Sequence, residues 1–169
     1  HVDSSAASDV YKRQGSYLII GGSSDIALDL INQLCEAGHT VTTLARDASR
    51  VEPLKAIGVN VVIGDGLVDA DLATAIEVAK EHGNGSIAGA AHLIGSILLK
   101  PPHALKVEDF QSVIQTNLVS AFLSLSMISK SMLRSGGGRL VFTSSVAGSL
   151  GLVNHCLLYT SPSPRDGSI

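Results

Sequence analysis

Gly21-Gly22-Ser23-Ser24-Asp25 follows the apolar run Tyr17-Leu18-Ile19-Ile20 and opens a stretch with apolar residues at i, i+4 and i+8. A glycine-rich turn between a strand and a helix is built for a phosphate. Its backbone N–H groups and the positive end of the helix dipole face the anion, and Gly21 permits the tight bend. Two of the three glycines expected of a dinucleotide-binding turn are here Asp25 and Ala27. Alanine is compatible with close helix–strand packing. A carboxylate beside a pyrophosphate repels it unless it caps the helix or points away, and a plain turn capped by Ser24 or Asp25 is the structural alternative.

Further polar residues fall where strands should end. Ala45-Arg46-Asp47 closes the second apolar segment, so a small residue and an arginine stand where an NAD-preferring fold carries a carboxylate for the ribose 2′-OH. Arg46 suits a 2′-phosphate, or else forms a surface pair with Asp47. Asp65 follows the third segment and can accept from an adenine amino group or simply open a turn. His92 lies near the end of the fourth, and Ser144-Ser145 follow the fifth. The histidines show no metal-ligand spacing, and Cys35 on an apolar helical stretch reads as a small core residue.

The elements that position these residues alternate. Strands are expected at 17–20, 39–44, 59–63, 86–94 and 140–143. Helices are expected at 26–37, 49–57, 69–82 (capped by Asp69 or Asp71) and 107–133. Gly38, Gly58 and Gly136-Gly137-Gly138 supply helix stops. Apolar strands alternating with helices imply an α/β fold, a doubly wound parallel sheet of Rossmann type. Right-handed crossovers give it the order 3-2-1-4-5.

Composition narrows the function. A net charge of −3 provides no electrostatic footprint for nucleic acid or an anionic membrane. No run approaches 18 uninterrupted apolar residues, so no membrane span is expected, and the chain reads as cytoplasmic. Ser4 to Gln14 and Cys156 to Asp166 read as translated sequencing adaptors. Residues 1–14 and 156–169 are therefore expected to be non-native tails around one domain at 15–155.

Taken together, strand–Gly21-Gly-Ser-Ser-Asp-Ile26–helix, Ala45-Arg-Asp47, Asp65, His92-Leu-Ile-Gly95, Thr116-Asn117 and Thr143-Ser-Ser-Val-Ala-Gly148 resemble, in order and spacing, the short-chain dehydrogenase/reductase family. The resemblance implies a Rossmann-fold oxidoreductase that binds NADP, with NAD possible, interconverts a small-molecule carbonyl and alcohol, and forms a homo-oligomer. It implies cofactor contacts from Gly21, Ser23, Ser24, Asp25, Ile26, Arg46, Asp65, His92 and Gly95. Catalytic roles would fall to Asn117, holding a water in a proton relay, and to Ser145, bonding the substrate oxygen. The family's usual Asn-Asn-Ala-Gly is His92-Leu-Ile-Gly95 here. Its tyrosine, about 13 residues after the serine, falls on Leu158, and its lysine, four further on, falls next to Ser163, where the chain has no lysine. The 169-residue chain is accordingly expected to be a fragment that stops before the last strands and does not turn over. A non-catalytic NAD(P)-binding sensor or partner subunit is the competing reading.

Overall fold

Five parallel strands lie side by side in the order β3-β2-β1-β4-β5 in the computed structural model, which describes residues 14–146. They are β1 (Ser16–Ile20), β2 (Thr40–Ala45), β3 (Asn60–Ile63), β4 (Gly89–His92) and β5 (Arg139–Phe142). Register does the positioning: Ile20 pairs with both Leu44 and His92, Ala45 with Ile63, and His92 with Phe142. The segments leaving all five strands therefore emerge along one edge of the sheet, where ligands of open α/β sheets bind.

Helices α1 (Asp25–Glu36), α2 (Ala48–Val51), α3 (Asp69–Glu81), α4 (Val107–Ile114) and α5 (Ser120–Arg134) connect the strands. The period-two alternation of β1 divides the core between two faces. Leu18 and Ile20 pack with Leu44, Leu72, Ile76, Ile128 and Met132 under α3 and α5. Ile19 packs with Ala27, Ile31, Val41, Val51 and Leu54 under α1 and α2.

The differences from expectation are local. The helix expected at 49–57 is α only over α2 and continues as a 3-10 helix at Glu52–Ile57, where Pro53 lacks the N–H that an α-helical bond needs. Gly58, at φ 85°, ends it. Neither Asp69 nor Asp71 caps α3: the N-cap is Val68, and the Asp71 carboxylate instead accepts from the Asp65 N–H at 2.8 Å. β4 is shorter than expected, and Leu93 and Ile94 leave the sheet to reach the carboxyl edge.

The helix expected at 107–133 is interrupted by a π-helical turn at Gln115–Val119, joining α4 to α5. At its end the Ser120 hydroxyl donates back to the Thr116 carbonyl, a bond that competes with the helical ladder. The combined 28-residue helix is long and apolar enough by length and composition to cross a bilayer. Here Ile128 and Met132 pack in the core, while Phe110, Phe122 and Leu125 face outward.

Candidate active site

A cleft of about 280 Å³ opens at the carboxyl edge between the ends of β1, β2, β3 and β4. Its floor is the glycine turn. Gly21 sits at φ 88°, and a Cβ there would lie 2.9 Å from the Ile94 nitrogen. Both Gly21 and Gly22 donate their N–H groups to the Leu44 carbonyl, which ties the turn to β2. Ser24 is the N-cap of α1, its hydroxyl accepting from the Ala27 N–H at 3.2 Å. Ser23 and Ser24 line the cleft at the helix N-terminus, where an anion is favoured.

Arg46 and Asp65 face each other across the β2–β3 side, 3.8 Å apart, with the arginine side chain 75% exposed. Arg46 does not pair with Asp47. That carboxylate caps α2, accepting from the Ser49 N–H at 3.0 Å and its hydroxyl at 2.6 Å, and the bonds hold it below its ordinary pKa. Asp65 also accepts from the Leu67 N–H at 2.9 Å, which shapes the turn carrying Gly64 and Gly66 past the cleft. Arg50, in α2, lines the same wall and forms an ion pair with Asp25.

The β4 side is built from neutral groups. His92 turns away from the cleft, is 4% exposed and packs against Phe142 with the two rings tilted by 34°. Its Nε2 lies 3.1 Å from the Ser120 hydroxyl and its Nδ1 lies 3.0 Å from that of Ser124. Ser120 gives its proton to Thr116, so it must accept from Nε2–H, and Nδ1 accepts from Ser124. Burial pushes the His92 pKa down to about 4, so the ring is neutral. It is an internal strut between β4 and α5, while the neighbouring Leu93, Ile94 and Gly95 line the cleft.

Asn117 is 7% exposed inside the π turn. Its Oδ1 accepts from the Ser96 N–H at 2.7 Å and its Nδ2 donates to the Ser96 carbonyl at 2.9 Å. The amide thus clamps the loop after β4, and Thr116 beside it reaches the cleft. Thr143 donates to the His92 carbonyl at 3.5 Å as the chain leaves β5 toward Ser145.

The cleft brings together Gly21, Ser23, Ser24, Arg46, Asp65 and Gly95 of the residues expected from sequence. Asp25 stands on its rim through Arg50, Ile26 is largely exposed outside it, and His92 lies behind it. Asn117 and Ser145 are not in its lining, and Leu158 lies outside the described residues. Arg50 was not anticipated; its place in the short helix that Asp47 caps, just after β2, was the available signal.

A family model described as short chain dehydrogenase matches residues 16–161, nearly the whole chain. The chain belongs to the short chain dehydrogenase family. Among its curated relatives, the 3-oxoacyl-[acyl-carrier-protein] reductase MabA of Mycobacterium tuberculosis is 30% identical over 139 residues, covering 82% of this chain and 54% of the relative. A tropinone reductase homologue of Arabidopsis thaliana is 30% identical over 138 residues, covering 78% and 51%. The chain thus spans about half the length of these curated relatives. A short-chain type dehydrogenase/reductase from Mycobacterium ulcerans superposes with a TM-score of 0.77 at 24% identity, over 85% of this chain and 56% of that one. An actinorhodin polyketide ketoreductase solved with NADPH gives 0.77 at 22%, over 87% and 59%. These solved structures share the Rossmann-type fold with this chain.

Proposed function

We propose that the protein this chain represents interconverts a small-molecule carbonyl and alcohol using NADP(H). One observation carries the choice of cofactor: β2 ends at Ala45, a small residue where an NAD-preferring fold has its carboxylate, and Arg46 directly after it stands on the open wall of the cleft. The residues present fit the group. The Gly21–Ser24 turn at the start of α1 can take the pyrophosphate, and Arg46 the 2′-phosphate. Asp65, already bonded to Leu67, is left at most a shared role toward adenine.

When bound, the nicotinamide supplies or accepts the hydride. Asn117 holds the β4 loop in place through Ser96, and the residue expected to bond the substrate oxygen is Ser145, which follows β5. Family membership favours this reading over a non-catalytic binding module. The position of the family tyrosine holds Leu158 and no lysine stands at or beside Ser163, so we expect no turnover by the 169-residue chain alone.

The test is a fluorescence titration with NADPH and NADH, beside an assay of an open reading frame extended past codon 155. Tighter NADPH than NADH binding, lost in Arg46→Ala, is the expected result, together with reduction of a carbonyl by the extended protein only. Equal affinity for the two cofactors would overturn the NADP assignment. Turnover by the 169-residue chain would overturn the account of the missing pair.

A further inference from the structure

Two arginines line the wall of the cleft, and each is met by a carboxylate. Arg46 faces Asp65, and Arg50 is paired with Asp25. The second pair joins two separate elements. Asp25 is the first residue of α1, directly after the phosphate-type turn, and Arg50 lies in α2 after β2. The Asp25 side chain is 91% exposed and that of Arg50 45%, so the pair sits in high dielectric and exchanges readily. Asp25 also places its carboxylate in the first turn of α1, where the helix dipole holds an anion. A ligand phosphate reaching Arg50 competes with Asp25 for the guanidinium.

Resting on the NADP(H) reading above, we propose that Arg50 is a second ligand of the 2′-phosphate and that Asp25 is its built-in competitor. Binding of the phosphorylated cofactor exchanges the Asp25–Arg50 pair for an Arg50–phosphate pair. A phosphate monoester dianion offers three terminal oxygens, enough for two guanidinium groups, and Arg46 and Arg50 approach it from one wall. Asp25 then sets how strongly cofactors with and without the 2′-phosphate are distinguished, because only the phosphorylated one has the charge to displace it. The carboxylate in place of the turn's second glycine is thereby a tuning residue.

The test uses two fragments, adenosine 2′,5′-bisphosphate and adenosine 5′-monophosphate, titrated calorimetrically into the full 169-residue chain. The parent chain is expected to prefer the bisphosphate. Arg50→Ala should weaken it about tenfold while leaving the monophosphate unchanged, as for loss of one charge-assisted bond at a wet site. Asp25→Asn should tighten the bisphosphate about two- to fivefold, the scale of one exposed ion pair, and this gain should vanish in the R50A background. A gain that persists in that background would overturn the exchange and leave direct repulsion by Asp25. If Arg46→Ala abolishes the preference and Arg50→Ala does not, the inference fails while the NADP(H) reading stands. Equal binding of both fragments by the parent chain would remove the NADP(H) reading and this inference together.

Discussion

The open β2–β3 wall of the cleft and the layer behind its β4 side use polar residues in opposite ways. On the β2–β3 side, Arg46, Arg50, Asp25 and Asp65 are charged, exposed and paired across open space. On the β4–β5 side, His92, Asn117, Ser120 and Ser124 are buried, neutral and hydrogen-bonded. Exposed ion pairs contribute little to stability and yield easily to a ligand, whereas a buried polar group that loses its partner costs its full desolvation. The wall is therefore suited to exchange partners and the layer to hold a shape. The glycine turn lies between them and belongs to the rigid class, because its neighbours leave no room.

The largest effect is expected at that turn. A Cβ on Gly22 would lie 1.8 Å from Oγ1 of Thr43, a buried β-branched residue that donates to the Ile19 carbonyl. Gly22→Ala should destabilise the chain by about 3 kcal/mol or more, measured by urea unfolding. A loss below about 1 kcal/mol would mean the turn and β2 are looser than their shared Leu44 bonds imply.

Next is the pH response of the rigid layer. The folded pKa of His92 is about 4, below its ordinary 6.5, so the unfolded chain binds a proton first as pH falls. Its contribution is complete above pH 6.5 and drains away toward pH 4, by as much as about 3 kcal/mol. Urea midpoints at pH 7.5 and 5 should differ in the parent chain, and the difference should shrink in His92→Gln. An unchanged slope would assign the acid sensitivity to the carboxylates.

Asn117→Ala removes two hydrogen bonds and leaves both backbone groups of Ser96 without their partner. We expect a loss of about 1–3 kcal/mol, with faster hydrogen exchange at the Ser96 amide. Exchange unchanged at that amide would show that water replaces the clamp. The smallest effect belongs to the open wall: Arg46→Ala should alter stability by less than about 0.5 kcal/mol, since its pair with Asp65 is exposed and 3.8 Å long. A larger loss would break the contrast between the wall and the layer.

Much of this was legible in the sequence because it depends on short spacings. Alternation in Leu18-Ile19-Ile20 assigns neighbours to opposite faces, and Gly38 and Gly58 stop helices through their backbone freedom. Consecutive βα units then fix the strand order by handedness alone. The position of Arg46 at the mouth of the cleft followed from where β2 must end. What required tertiary structure was the choice among partners distant in sequence. Arg46 meets Asp65 rather than its neighbour Asp47, Arg50 reaches back to Asp25, and Asp71 bonds the β3 loop instead of capping its own helix. His92 illustrates the reason most directly. Its place at the end of β4 is set by the local pattern, but whether its ring faces the cleft or the core depends on Ser120 and Ser124, which are brought against it only when α5 docks on the sheet.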